Sequence, residues 1–357
     1  MRMQRGFRSF LGLLACLAFA GAATAQDKAP KAKLGIGDAA PAWNVKHWLN
    51  GKEIKEYEAG KVYIVEFWAT WCGPCIAAMP HLAELQEEYK DKGLVIIGMT
   101  TKDEANTLEK VTKFVDARGP KLGYVFAFCD GEETHKAYMD AAGQEGIPCS
   151  FVVDKKGKIA YIGHPALLDD VLPKVIEGTW KGKEDLEAID KMNAELEKIL
   201  DPKSVELAPG SVLDKLDAFG KTYPEKFAQD MLQGQRMSLM VMNGKFDDAK
   251  KIAEALIAKS EKKKSAMPGL YVAIAFAEKK ANPDLKHADL IEKSLEHALK
   301  IEPTDVSLAL EAVRIYTLLD KKDKAKEAGE AAVKNAPNDE ARKQIAKIVK
   351  DLSSGSK

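Results

Sequence analysis

No other part of this chain limits its fold as tightly as Trp71-Cys72-Gly73-Pro74-Cys75 and what lies on either side of it. The run 62–67 is short, β-branched and aromatic, as a buried strand is, while 76–90 has helical spacing. The cysteine pair therefore sits where a strand passes into a helix, with Cys72 at the helix N-terminus. There the unpaired backbone N–H groups and the helix dipole stabilise a thiolate, which makes Cys72 the attacking thiol. Cys75 lies nearly one turn along the same helix, close enough to strike a mixed disulfide, and is the resolving thiol. Gly73 and Pro74 complete the first turn. Proline is tolerated there because the N–H it lacks would have had no intrahelical partner.

Two other uses of the pair fit less well. A zinc site usually needs two further Cys or His at ligand spacing, and the sequence has no second C-x-x-C and no H-x-x-x-H. His81, six residues past Cys75, falls on a poorly matching helix face. A permanent disulfide would close too small a loop to stabilise much. The expected redox group is the dithiol itself, with no metal and no further cofactor.

Further runs at 94–99, 124–128, 150–153 and 159–162 read as strands, and 108–117, 133–141 and 167–176 as helices. This alternation predicts an α/β domain over 34–178, a central mixed sheet flanked by helices. Asn50-Gly51 and Lys156-Gly157 carry hairpin signals, the second joining the last two strands as an antiparallel pair. From about Lys183 the composition shifts to Ala, Leu, Lys and Glu at helical spacing, which predicts an all-α domain over 179–357. Pro303 and Pro337 stand 34 residues apart, with Ala298 and Ala332 in matching phase. That is the period of tetratricopeptide helix pairs. Thr304 and Asn338 are expected N-caps, and 244–249 resembles the opening of another repeat. The consensus tryptophan and glycine positions are mostly missing, so the repeat is degenerate; a plain helical bundle is the alternative.

At the N-terminus, Arg2, Arg5 and Arg8 precede an apolar run at 10–20 and then Ala23-Thr24-Ala25. The pattern predicts a secretory signal over 1–25, cleavage before Gln26, a polar linker over 26–33 and a periplasmic or otherwise extracytoplasmic location. The apolar run is short of the ~20 residues a spanning helix needs. Lipid attachment at Cys16 is the weaker alternative, since Leu13-Leu14-Ala15-Cys16 matches a lipoprotein box poorly and the apolar run continues past it. The chain is neutral, with 54 basic and 54 acidic residues, and losing 1–25 removes three arginines and no acid. Nothing in that balance asks for nucleic acid or another polyanion. Four of the five cysteines lie beyond residue 25, too few for a disulfide-stapled scaffold of this length.

The stretch Glu66-Phe67-Trp68-Ala69-Thr70-Trp71-Cys72-Gly73-Pro74-Cys75, with Pro80 five residues on, resembles the active-site strand and kinked helix of the TlpA/ResA-like thioredoxins of the AhpC/TSA/redoxin superfamily. Gly37-Asp38-Ala39-Ala40-Pro41, Gly146-Ile147-Pro148 and Val153-Asp154-Lys155-Lys156-Gly157 match as well. The resemblance covers 34–178; the helical half resembles C-terminal extensions of some members. It implies a thioredoxin fold and a protein disulfide reductase acting on exported proteins, supplied with electrons by a membrane donor, with a protein partner for the helical domain. It also implies that Pro148 is a cis-proline facing the dithiol, that the main chain of Ile147 holds an incoming strand, and that Trp71, Gly73 and Pro74 support the site. The sequence alone shows only an X-Pro bond, for which trans is the default.

Glu66 stands where cytoplasmic thioredoxins keep a buried aspartate. Buried behind the pair, its raised pKa would let it shuttle the proton of Cys75; pointing to solvent from an edge strand is the alternative. Cys149 follows Pro148 where threonine is common, which makes it a possible third thiol. In the family's sheet order, the strands of Cys129 and Cys149 lie three places apart, ~14 Å, so these two are not expected to pair. A peroxiredoxin-like peroxidase shares the fold and lead-in but needs a threonine three residues before its cysteine, where this chain has Ala69 before Cys72 and Cys72 before Cys75. A binding scaffold whose redox domain is incidental is the non-enzymatic alternative.

Overall fold

The computed structural model describes residues 34–278, 281–336 and 339–353. The expected signal segment, Cys16, the linker 26–33, Pro337 and the expected cap Asn338 lie outside the described residues. The chain divides into two compact units, Met1–Lys191 and Met192–Lys357.

The first unit is built on one sheet: β1 (His47–Leu49), β2 (Val62–Phe67), β3 (Leu94–Thr101), β4 (Val125–Cys129), β5 (Cys149–Val153) and β6 (Ile159–Gly163), in the order β1-β4-β3-β2-β5-β6. The neighbours β2, β3 and β4 run parallel, while β1, β5 and β6 are antiparallel to theirs, so the sheet is mixed as expected. All six residues of β2 are buried, which is why it reads as an apolar run interrupted only by Glu66. The crossovers β2 to β3 and β3 to β4 pass through α1 (Gly73–Tyr89) and α2 (Leu108–Leu122). Both step the same way along the sheet, so right-handed crossing puts both helices on one face. The other face carries a cluster of Tyr63, Val65, Phe67, Ile97, Met99, Phe151 and Val153, with Tyr138 and Met139 packed over it. Each of these large side chains contributes roughly 2 kcal/mol by leaving water.

Three local expectations are corrected. Asn50-Gly51 does not turn a two-residue hairpin, because β1 pairs with the distant β4. Asn50 instead takes φ 52° and its amide donates to the carbonyls of Gly119 at 2.7 Å and Tyr124 at 2.8 Å, anchoring the turn to the end of α2. The helix expected over 133–141 is a short α turn, Glu133–His135, that widens into a π turn at Lys136–Asp140, where the Ala141 N–H reaches the Lys136 carbonyl. The expected cap Thr304 gives way to Asp305, whose carboxylate accepts the Leu308 N–H at 2.7 Å, because the helix begins one residue later than the threonine requires. The Lys156-Gly157 hairpin forms as expected, with Gly157 at φ 73°.

Gly178, at φ 75°, ends α3 (Leu168–Glu177), but the packing of the first unit does not stop there. The Trp180 indole donates to the Ala160 carbonyl of β6 at 2.8 Å. Asp185, in α4 (Lys183–Ile199), accepts from Lys174 of α3 at 2.7 Å and from the Lys181 N–H at 2.6 Å. The two units part between Lys191 and Met192, inside α4. A chain ended at Lys191 should therefore be more stable than one ended at Gly178 by ~2 kcal/mol, several degrees in midpoint. Thermal unfolding of the two would check this; equal midpoints would show that 179–191 add nothing to the first unit.

The second unit contains helices and no strand among its described residues. Asp230–Met242 packs on Phe246–Lys263, Met267–Ala277 on Ala288–Ile301, and Val306–Leu318 on Lys322–Lys334, followed by Asp339–Ser353. Buried Ala249, Ala253, Ala298, Ala312, Ala328 and Ala332 let these helices approach closely. Among the described residues no helix is long and apolar enough to cross a membrane.

Candidate active site

Beyond Phe67 the chain leaves β2, and five residues later Cys72 becomes the N-cap of α1 at φ −82°, ψ 95°. The Cys75 N–H, one of the donors a helix N-terminus leaves over, points at Cys72 Sγ from 3.2 Å. Pro74 occupies the first turn and Pro80 the interior of the helix. Cys72 and Cys75 are joined as a disulfide with Cα atoms 5.3 Å apart, so the structure is that of the oxidised form. The Ile147–Pro148 peptide bond is cis, and the Ile147 carbonyl oxygen lies 3.8 Å from Cys72 Sγ.

Cys72 is 4 % exposed and Cys75 2 %, so in the oxidised form neither cysteine is open, whereas Trp71, at 57 %, is exposed, as are Gly73 and Pro74. What separates the two thiols is the N-cap position and the N–H aimed at Cys72. The Trp71 indole is itself held, donating to Asp103 Oδ2 at 2.9 Å.

Glu66 lies on the central strand, opposite Gly98 of β3 and Ser150 of β5, and is 3 % exposed. A solvent-facing edge position is therefore ruled out. Tyr63, Val65 and Phe67 face the cluster, so strand alternation turns Glu66 to the other face. Trp68, two residues on, packs at 5.1 Å between ring centroids, tilted by 41°, against Phe114 of α2, which marks that face as the one covered by α1 and α2. Space there is tight: a Cβ on Gly98 would meet Phe126 at 2.7 Å and the Trp68 Nε1 at 3.2 Å, so only glycine fits. Ser150 Oγ donates to Glu66 Oε2, while Oε1 has no hydrogen-bond partner among the described residues. Burial pushes the carboxyl up to about 8, the hydrogen bond from Ser150 pulling weakly the other way.

The remaining cysteines are buried free thiols. Cys129 packs with its Sγ 3.6 Å from Met99 Sδ, and burial pushes its pKa up. Cys149 belongs to the same cluster, on the opposite side of β5 from Ser150, and burial, aided by the charge of Glu66, pushes it up to about 12. It is thus a protonated core thiol facing away from the Glu66 side of the sheet. The strand order β4-β3-β2-β5 separates Cys129 from Cys149 by three spacings, ~14 Å against the ~7 Å a disulfide tolerates. His81 is 3.0 Å from Asp169 and ties α1 to α3, and no group of three or more His, Cys, Asp or Glu among the described residues could hold a metal ion.

Sequence reasoning named the dithiol, Glu66 and Pro148 but not Ser150 or the loop that holds Trp71. Ser150 could have been found from the register, since antiparallel pairing beside Pro148 sets it across from Glu66. The loop residue Asp103 carries no motif.

A family model described as Redoxin matches residues 25–172. Protein FixW of Rhizobium leguminosarum is 35 % identical over 152 residues, which cover 42 % of this chain and 69 % of that protein. The chain belongs to the redoxin family. The thiol-disulfide oxidoreductase ResA of Bacillus thuringiensis (strain Al Hakam) is 37 % identical to this redoxin over 132 residues, 37 % of this chain and 70 % of that protein. Among solved structures, a thiol:disulfide interchange protein of the thioredoxin family from Chlorobium tepidum TLS is 25 % identical, with a TM-score of 0.34, covering 40 % of this chain and 98 % of that one. This redoxin is a thiol-disulfide oxidoreductase with a thioredoxin-like sheet and an all-α C-terminal unit.

Proposed function

We propose that this redoxin works outside the cytoplasm, where it reduces or exchanges disulfides of exported proteins. One observation carries the reading: Cys72 is the N-cap of α1, with the Cys75 N–H aimed at its sulfur and the cis Ile147–Pro148 bond beside it. The Cys72 thiolate attacks one sulfur of a substrate disulfide, a mixed disulfide forms, and the other substrate sulfur leaves as a thiolate that takes up a proton. Cys75 then gives its proton to the Glu66 carboxylate and attacks Cys72 Sγ. That step releases the second substrate thiol and leaves the Cys72–Cys75 disulfide, so the substrate gains the two electrons the dithiol loses. Ile147 and Pro148 hold the incoming strand against the pair. A membrane donor of electrons, as the family resemblance implies, returns the disulfide to the dithiol. The helical unit serves as the docking surface for a protein partner, since stacked helix pairs build extended faces.

The leader pattern at 1–25 supports the location. A Cys75→Ser variant expressed with its own N-terminus should be recovered outside the cytoplasm beginning at Gln26 and joined through Cys72 to exported proteins. Recovery in the cytoplasm with residues 1–25 intact, or capture of cytoplasmic proteins only, would refute the reading.

A further inference from the structure

Between Phe67 and Gly73 the chain is neither strand nor helix, so its buried polar groups must find partners elsewhere. They find them in the loop that follows β3. The Asn106 side chain is 0 % exposed, and its oxygen accepts from both the N–H and the hydroxyl of Thr70 at 2.9 Å. Its amide nitrogen donates to Thr100 Oγ1 at 2.8 Å and to the Thr101 carbonyl at 2.9 Å, so the amide makes all four bonds open to it. Thr100 Oγ1 in turn donates to the Trp68 carbonyl at 2.6 Å. The loop is folded onto itself by Asp103, whose Oδ1 accepts the N–H groups of Ala105 and Asn106 at 2.6 Å, while its Oδ2 takes the Trp71 indole. The two residues immediately before Cys72 are thus each fastened to the same short loop.

We propose that Asn106 is a positioning residue for Cys72: by clamping Thr70 it fixes the N-cap geometry that aims the Cys75 N–H at Cys72 Sγ. Asn106 touches neither sulfur. It acts through the backbone of Thr70, two residues upstream, whose part-buried N–H loses its acceptor without it. When the clamp is cut, Thr70 and Trp71 can shift, Cys72 leaves its cap position for part of the time, and the thiolate loses part of the hydrogen bonding that stabilises it. The proposal rests on the reading of Cys72 as the attacking thiol.

The test is the rate at which iodoacetamide labels Cys72 in the reduced full-length chain as a function of pH, with labelled sites mapped by mass spectrometry. In Asn106→Ala the midpoint of the profile should move up by ~1 pH unit, and labelling at pH 7 should slow by up to about tenfold. A variant that melts earlier but labels with a profile superimposable on wild type would show that Asn106 is only structural and would overturn the proposal. If Asn106→Ala does not fold, Thr70→Val removes just one of the two donors to Asn106 Oδ1 at a part-buried site. It should move the midpoint the same way by a smaller amount, and an unmoved midpoint in the folded variant would overturn the proposal equally. Wild-type protein in which Cys75 is labelled before Cys72 would instead refute the assignment of the attacking thiol, an outcome distinct from both.

Discussion

Cys72→Ser should lower insulin disulfide reduction by roughly a thousandfold or more, to the level of the reductant alone, because no other thiol in the unit can attack in its place. Cys129 and Cys149 are buried, and burial raises the pKa of both, which leaves little thiolate on either. Cys75→Ser should behave differently. Its multiple-turnover rate should also fall away, but the first attack should survive, so a stable mixed disulfide with the substrate should accumulate through Cys72. Non-reducing electrophoresis and peptide mapping after a single exposure to insulin would distinguish the two variants. Complete loss of covalent capture in both would sink the two-step scheme, as would capture through Cys149. The contrast follows from placement: Cys72 caps α1 and receives the Cys75 N–H, while Cys75 lies inside the first turn, past the cap.

The parts of this fold that could be read from sequence are those in which local chemistry and tertiary role agree. The run 62–67 is a fully buried central strand and looks like one; Gly73-Pro74 suits a first helical turn; Lys156-Gly157 supplies the positive φ that its hairpin needs. β1 was not legible because it is three half-buried residues whose partner, β4, comes far later in the chain. The Asn50-Gly51 signal beside it was real as a turn but said nothing about which strand would pair. At the site, the dithiol announces itself by spacing, and Glu66 by being a charge inside an apolar run. Asn106 and Ser150 do not, since an asparagine in a polar loop and a serine in a strand acquire meaning only when the sheet brings β2 between β3 and β5. The burial of Cys72 was also out of reach, because the Ile147 carbonyl that lies against its sulfur comes seventy-five positions later in the chain.

Glu66→Gln carries the largest expected effect on stability, and its sign follows from the direction of the shift. The Glu66 carboxyl is raised from an ordinary value near 4.5 to about 8, so the native protein holds this proton over a pH range in which the unfolded chain has released it. Stability from this group is therefore fully present below about pH 4.5 and is lost as pH rises through the interval to about 8. One proton gives a slope of ~1.4 kcal/mol per pH unit, and the whole interval ~5 kcal/mol as an upper figure. Glutamine keeps an acceptor for Ser150 Oγ and never titrates, so the stability of Glu66→Gln relative to wild type should climb across that interval and level off above it. Urea unfolding of the two oxidised proteins at pH 4, 6 and 8.5 would measure the climb, and a difference constant over all three would show that the carboxyl does not titrate in the fold. The same exchange removes the acceptor for the Cys75 proton. The resolving step should accordingly slow near neutral pH and recover toward wild type at alkaline pH, where Cys75 ionises unaided. The two results should then oppose each other near neutrality, with the variant more stable and slower, which is the signature of a buried titrating acid retained for the proton it moves and not for stability.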